Sequence, residues 1–117
     1  MNTKELGDHG EALVCAHLRD QGFTILKTNW RTPFGQVDIL AQRGDTEHIV
    51  EVKTSRQAIH HDQALSLRTP QLKRLSRVAS WRCQQLKGRL GVSLDLVLVS
   101  LSPYGETDIR HFENITL

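Results

Sequence analysis

Apolar and polar positions follow two periods along this chain, and together they predict an α/β fold. Helical spacing of apolar residues predicts one helix from Thr3 to Gln21 and a second from Thr69 to Gly88. Shorter runs bounded by turn residues predict strands at Phe23–Trp30, Gln36–Gln42, His48–Lys53 and Ser93–Leu101, with a weak last strand over Asp108–Ile115. The order α-β-β-β-α-β predicts a mixed sheet flanked by helices.

Two stretches depart from simple alternation. The run from Ser93 to Leu101 is almost wholly apolar, which is typical of a strand buried on both faces. The polar stretch 54–68 shows no clear period and predicts a loop or a short irregular helix. It contains His60, His61 and Asp62, for which a polar loop is favoured over a metal cluster because adjacent histidines usually diverge.

Charged side chains interrupt the two most strand-like runs. Glu51 and Lys53 share one face of their strand, because strand side chains alternate with period two. A hairpin across the turn at 43–46 would bring Asp38, on the face of Gln36, close to Glu51. Two adjacent carboxylates repel, so a shared proton or a bound cation is expected. The alternative is a purely structural ion pair among Asp38, Glu51 and Lys53.

The first helix contributes a third carboxylate. Glu11 lies on the apolar stripe formed by Val14, Cys15 and Leu18. A carboxylate on a buried helix face is costly unless it is paired or bound to a metal, so Glu11 is predicted to face the same site.

These residues suit the hydrolysis of a phosphodiester. Mg²⁺ or Mn²⁺ prefers carboxylate and carbonyl oxygens, and Asp38, Glu51, Glu11 and the backbone carbonyl of Val52 are the predicted ligands. The metal would polarise a phosphate and activate a water molecule. Lys53 is predicted to position that water or to stabilise charge on the phosphate, since a role as base would need a pKa far below its ordinary value of about 10.4.

Composition limits the class of protein. The 117 residues fit a single domain over 1–117, and 38% hydrophobic residues are ordinary for a globular protein. The N-terminus carries no apolar signal segment, and no run approaches the length of about 20 residues that a membrane helix needs. We therefore expect a cytoplasmic protein without a membrane partner, with Cys15 and Cys83 as free thiols.

The distribution of charge says more than the net charge of +2. No acidic residue occurs between Asp62 and Asp95, and this stretch holds seven basic residues. It predicts either a basic face that meets nucleic-acid phosphates or a solvated helix face. The candidate phosphate contacts are Lys73, Arg74, Arg77 and Arg31. Trp30 and Trp81 are predicted to pack in the core, since six aromatic residues are too few for a base-stacking platform.

Four motifs occur in order along the first half of the chain: Gly-Asp-His-Gly-Glu-Ala at 7–12, Thr-Asn-Trp-Arg at 28–31, Gly-Gln-Val-Asp-Ile-Leu-Ala at 35–41 and Val-Glu-Val-Lys-Thr at 50–54. In these motifs the chain resembles the YraN family of small bacterial proteins. That family is similar to archaeal Holliday-junction resolvases and to the PD-(D/E)xK nuclease superfamily. The resemblance implies a restriction-endonuclease-like fold and a metal-dependent nuclease site.

The resemblance carries over by matching positions. Asp38 matches the metal-binding aspartate, Glu51 and Lys53 match the ExK pair, and Glu11 matches the helical glutamate of the resolvase-like branch. Gln36 stands where the family usually has Glu, which removes one negative charge near the metal.

Two further positions depart from the family pattern. Arg56 is shifted by one place, which changes its strand face and makes a role in the site doubtful. Asp95 matches a late family aspartate, but Ser93-Leu94 replaces the usual Arg-Phe before it, and Asp95 is interpreted as structural.

Three functions are consistent with the sequence. The leading hypothesis is a Mg²⁺- or Mn²⁺-dependent endonuclease acting on DNA, including branched or structured DNA, for which a homodimer would suit two-fold symmetric substrates. The second is a nucleic-acid-binding protein that keeps the nuclease fold but lacks effective catalysis, a reading that Gln36 favours. The third is a structural or adaptor domain.

Overall fold

In the computed structural model, five strands form one mixed sheet with a helix against each face. The structure describes residues 1–58 and 69–115. The elements in chain order are α1 (Thr3–Asp20), β1 (Thr24–Thr32), β2 (Gly35–Arg43), β3 (Thr46–Ser55), α2 (Thr69–Leu86), β4 (Gly91–Leu101) and β5 (Thr107–Phe112).

The strands lie in the sheet in chain order, β1-β2-β3-β4-β5. β3 and β4 run parallel because α2 lies in the connection between them, and all other neighbours are antiparallel. The predicted α/β fold, a mixed sheet flanked by helices, is confirmed, and the weak last strand is present as β5. The stretch 59–68, with His60, His61 and Asp62, lies outside the described residues, whereas Thr54 and Ser55 belong to β3.

Local sequence signals explain where α1 begins and ends. The side-chain oxygen of Asn2 accepts a hydrogen bond of 2.8 Å from the backbone N–H of Glu5, which satisfies a donor that the first helical turn leaves free. Gly22 follows the helix with a φ of 89°, a left-handed conformation that glycine adopts without strain. Both ends agree with the prediction to within one residue.

The core has two layers, one on each face of the sheet. Val97 and Val99 of β4 pack with α1, and Leu94 packs with α2. β4 is therefore buried on both faces, as its continuous apolar run predicted.

Two contacts fasten α2 to the sheet. The guanidinium of Arg82 donates two hydrogen bonds, of 2.7 and 3.0 Å, to the buried carboxylate of Glu47 on β3. Trp81 lies 5.7 Å from Trp30 of β1, ring centre to ring centre, and both rings pack against the core on the α2 face. The prediction that the tryptophans are core residues is confirmed.

Halfway along β1 and β2, the side of each strand that faces α2 changes to face α1. Val37 packs on the α2 face but Ile39 packs on the α1 face, although residues two apart in a regular strand share a face. Their partners on β1 are Trp30 and Thr28, and Asn29 between them has a left-handed φ of 48°. Asp38 therefore lies at the point where the pair of strands reverses its faces.

Neither cysteine forms a disulfide; Cys15 is buried and Cys83 is exposed. Among the described residues, no helix is long and apolar enough to cross a membrane.

Candidate active site

The site begins where β2 and β3 separate. Regular pairing between these strands stops at Ile39 and Val50. Beyond that pair, a side chain replaces the backbone hydrogen bonds between the strands. The Oδ2 atom of Asp38 accepts a hydrogen bond of 2.8 Å from the backbone N–H of Val52. The carboxylate is thus fixed in the gap between the two strands by a backbone donor.

Glu51 and Glu11 meet Asp38 at this gap. Glu51, on β3, is buried, with 8% of its side chain exposed, and Glu11 approaches from α1. Burial, together with a hydrogen bond to Asp38 and its charge, raises the pKa of Glu51 to about 8. Burial and the charge of Asp38 likewise raise the pKa of Glu11 to about 7. The structure therefore brings together the three carboxylates that the sequence singled out.

Among the described residues, Lys53 and Arg74 lie beside Glu51 and compensate its burial only in part. Lys53 is exposed and stands two residues beyond Glu51 on β3, where its charge lowers the pKa of Glu51 without overcoming the effect of burial. Arg74 of α2 places its Nη2 atom 3.9 Å from Oε2 of Glu51. Its Nη1 atom donates a hydrogen bond of 3.1 Å to the backbone carbonyl of Gln36.

Arg74 has a more specific position than the sequence indicated. Charge alone placed it among several basic residues of the second helix, whereas the structure places it at the edge of the carboxylate cluster. Gly35 makes this approach feasible, because a Cβ atom there would lie 2.9 Å from Nη1 of Arg74, and its φ of 114° also favours glycine. The only sequence signal for this contact was the glycine after the β1–β2 turn.

A second close approach seats α1 against β3. A Cβ atom at Gly10 would lie 1.8 Å from the hydroxyl oxygen of Thr54, so only glycine fits without a shift of helix or strand. Glu11 follows directly in the chain, and the position of its carboxylate therefore depends on this contact. The Thr54 hydroxyl is buried and has no hydrogen-bond partner among the described residues.

The other predicted phosphate contacts lie around Arg74. Lys73 and Arg77 are exposed on α2 and, four residues apart, are neighbours on one side of the helix. Arg31 is exposed on β1 directly opposite Gln36, whose carbonyl binds Arg74. Of these four residues, Arg74 is the one that contacts the carboxylate cluster, and Lys73 and Arg77 lie near it on α2. Arg31 follows Trp30, which packs on the α2 face, so its side chain points to the opposite face of the sheet. The part of all four in binding stays a prediction.

Two residues named by the sequence have other contacts. The side-chain amide of Gln36 donates a hydrogen bond of 3.0 Å to Asn29. Arg56 donates a bond of 2.7 Å to the backbone carbonyl of Met1, which gives it a structural contact at the N-terminus.

Asp95 is the centre of a separate buried network. It is fully buried, and it accepts hydrogen bonds from His48 at 2.7 Å and from His111 at 2.6 Å. Ser93 and the backbone N–H of Asn114 bind its other oxygen. Burial alone would raise the pKa of Asp95, but these hydrogen bonds hold it well below its ordinary value. The sequence interpretation of Asp95 as structural missed its two histidine partners.

The chain is thus a small α/β protein with three carboxylates at the point where β2 and β3 separate. A family model described as "Uncharacterised protein family UPF0102" matches residues 10–99, and the chain belongs to this family. It is the YraN family that the sequence motifs resembled.

Relatives match most of the chain. A UPF0102 protein of Thermodesulfovibrio yellowstonii is 33% identical over 110 residues, which are 94% of each chain. A UPF0102 protein of an Arthrobacter species is 32% identical over 117 residues and covers 98% of this chain and 99% of its own. Among solved structures, SfsA of Pyrococcus furiosus in complex with Ca²⁺ aligns with a TM-score of 0.47 at 16% identity, over 93% of this chain and 63% of that one.

The close packing at Gly10 yields a test of how α1 is seated. Gly10→Ala is expected to lower the free energy of unfolding by about 1–3 kcal/mol, because the added methyl group overpacks the contact with Thr54. Gly7→Ala is the matched control, since nothing lies within 4 Å of a Cβ atom there and alanine favours a helix by about 0.5–1 kcal/mol. Urea denaturation measures both, and equal stability of the two variants would contradict the packing.

The raised pKa of Glu51 yields a test with a defined sign. The folded protein keeps a proton on Glu51 up to about pH 8, whereas the unfolded chain loses it near 4.5. The metal-free protein should therefore lose stability as the pH rises between these values, because the folded state then binds more protons than the unfolded state.

Glu51→Gln removes that penalty. It should raise the free energy of unfolding by about 2 kcal/mol at pH 8.5 and change it little at pH 4.5. Urea denaturation in EDTA at both values measures the effect, with Glu106→Gln at an exposed position as the control. A Glu51→Gln protein that is less stable than the parent at pH 8.5 would show that the carboxylate is stabilising as it stands.

Proposed function

We propose that this protein is a metal-dependent endonuclease that hydrolyses phosphodiester bonds of DNA, including branched or structured DNA. The observation that carries the proposal is the convergence of Asp38, Glu51 and Glu11 at the gap between β2 and β3, with Lys53 beside them. Among the described residues, the positive charge of Lys53 and Arg74 only partly offsets the negative charge of the three carboxylates. A bound divalent cation would supply the remaining compensation at a pH where the carboxylates are ionised.

The donor set fits Mg²⁺ or Mn²⁺. Asp38 and Glu51 offer carboxylate oxygens, which hard cations prefer. The N–H and C=O of a strand residue face the same neighbouring strand, so the carbonyl of Val52 faces the gap into which its N–H donates to Asp38. Glu11 borders the gap from α1 and completes the acidic wall. When bound, the cation would supply Lewis-acid activation of the phosphate and of a water molecule.

The side chains around the gap have distinct roles in this proposal. Lys53 is exposed and would donate to the phosphate or orient the attacking water. Glu11 would help to hold the metal from the side of α1, which relieves the raised pKa that burial and Asp38 give it in the metal-free protein. Arg74 is held by a single backbone hydrogen bond and a 3.9 Å ion pair, so it can turn toward a phosphate at little cost.

DNA is proposed to lie along the basic border of the site. Arg74, Lys73 and Arg77 on α2 would bind the backbone on the side of the gap that α2 covers, and Arg31 on β1 would add a phosphate contact beside Gln36. Such contacts recognise the position and shape of the duplex rather than its sequence. Binding by this surface should weaken steeply with salt.

A second candidate function rests on Gln36. Its neutral amide is engaged with Asn29, in the position where the family usually carries a carboxylate. One acidic ligand fewer would weaken metal binding, which favours a protein that binds DNA without cutting it efficiently.

Cleavage assays separate the two functions. Linear, single-stranded and four-way-branched DNA are incubated with the protein in Mg²⁺, in Mn²⁺ and in EDTA. We expect cleavage that requires the metal and falls at least about 100-fold in Asp38→Asn and Lys53→Met. Asparagine can still accept the hydrogen bond from Val52, so the fold is kept while the charge is lost.

Matched controls exclude a contaminating nuclease. Asp108→Asn and Lys27→Met change exposed residues of the same types on β5 and β1 and should cut like the parent. Cleavage that survives in Asp38→Asn would contradict the proposed site. A protein that binds each DNA in a salt-dependent way but cuts none would establish the second function, and Gln36→Glu would then be expected to restore metal-dependent cutting.

A further inference from the structure

Two imidazoles converge on one carboxylate oxygen of Asp95 on the α1 face of the sheet. Oδ2 of Asp95 receives the Nδ1 atom of His48 at 2.7 Å and the Nε2 atom of His111 at 2.6 Å. A second carboxylate is close by, with Oε1 of Glu113 lying 3.8 Å from the same nitrogen of His48. Ligand atoms of His48, Asp95 and Glu113 all lie within 4.8 Å of one another.

This cluster is separate from the carboxylate gap. His48 and Val50 share the face of β3 that packs with α1, whereas Glu51 and Lys53 point to the other face. His48 also lies toward the start of β3, three residues before Glu51. The ligand atoms differ as well. The cluster offers imidazole nitrogens, whereas the predicted ligands at the gap are carboxylate and carbonyl oxygens.

Surrounding contacts orient the cluster as the outer shell of a metal site does. The hydroxyl of Ser93, at 2.5 Å, and the backbone N–H of Asn114, at 3.2 Å, both donate to Oδ1 of Asp95. Oδ2 is thereby left for the two imidazoles. The ring of Phe23 packs edge-on against His48 with 4.8 Å between ring centres, which fixes the plane of that imidazole. Partners of this kind set ligand orientation in metal sites.

An open pocket reaches the side of the cluster formed by His48 and Glu113. Its volume is about 500 Å³, and His48, Ser93, Glu113 and Arg43 line it. Arg43 pairs with Glu113 at 2.6 Å and lies 4.2 Å above the ring of Phe23. This guanidinium now supplies the positive charge that an ion would bring, and both members of the pair are about 40% exposed, so their exchange costs little.

We propose that His48, Asp95, His111 and Glu113 form a binding site for a divalent transition-metal ion, with Zn²⁺ as the ion that the ligands suit best. Two imidazoles with carboxylate oxygens match the four-coordinate preference of Zn²⁺ and contrast with the oxygen ligands that Mg²⁺ selects. The four ligands come from β3, β4, β5 and the residue after β5. A bound ion would therefore tie the C-terminal edge of the sheet to its centre, whether or not the carboxylate gap is catalytic.

Metal titration tests this site independently of any nuclease activity. Untagged protein in excess Mg²⁺ is titrated with Zn²⁺ by calorimetry, and with Co²⁺ while visible absorption is recorded. We expect one Zn²⁺ per chain, a tetrahedral Co²⁺ spectrum and a melting temperature that rises with the Zn²⁺ concentration.

Variants assign the ion to the cluster. Glu113→Gln changes an exposed ligand and so leaves the fold intact, and it should weaken Zn²⁺ binding at least about tenfold. His48→Gln should do the same, with circular dichroism to confirm that it folds. Three controls should bind like the parent: Asp38→Asn in the carboxylate gap, Cys83→Ser at the exposed thiol, and the double variant His60→Ala/His61→Ala.

The outcomes divide cleanly. Zn²⁺ binding that is lost in the Glu113 and His48 variants and kept in the three controls establishes the site. Absence of Zn²⁺ binding by the parent overturns it and leaves Asp95 as the acceptor of a buried hydrogen-bond network. Binding that survives both cluster variants, or that disappears in any of the three controls, overturns it as well, since the ion would then be held elsewhere.

Discussion

The hydrogen bond from the backbone N–H of Val52 to the carboxylate of Asp38 is the contact on which the site depends. It stands where the β2–β3 ladder would otherwise continue, so the two strands separate while the carboxylate stays fixed between them. Glu51 and Glu11 are brought against this fixed charge by β3 and α1. Burial and the charge of Asp38 raise the pKa of both glutamates, so three ionised carboxylates are unfavourable here unless a proton or a cation is bound. Such local cost is typical of a functional site.

Packing on both faces of the sheet maintains the arrangement. Gly10 lets α1 approach Thr54 closely enough to bring Glu11 to the gap, and Gly35 lets Arg74 of α2 reach its other side. The pair Arg82–Glu47 and the contact between the two tryptophans hold α2 against the sheet away from the gap. The same strand, β3, carries Glu51 toward the gap on one face and His48 toward Asp95 on the other.

Much of this could be predicted because the signals are local. The alternation of β3 placed Glu51 and Lys53 on one face, and Gly22 marked the end of α1. The features that the sequence did not predict depend on contacts between residues far apart in the chain. Sequence periodicity does not reveal that β1 and β2 exchange faces at Asn29 and Asp38. The change depends on the left-handed φ of Asn29 and on its pairing with β2, and neither is visible in the sequence. The histidine partners of Asp95 were likewise out of reach, because one of them lies 47 residues away in the chain.

The most direct test of the proposed metal site is a crystal structure of the protein crystallised with Mn²⁺ at pH 8, with anomalous diffraction to locate the ion. We expect an anomalous peak in the gap between Asp38 and Glu51, about 2.0–2.3 Å from an oxygen of each and from the carbonyl of Val52. A structure in which this gap holds no ion, with Glu51 paired instead to Lys53 or Arg74, would contradict it and show that the charges in these strands serve only to hold the sheet.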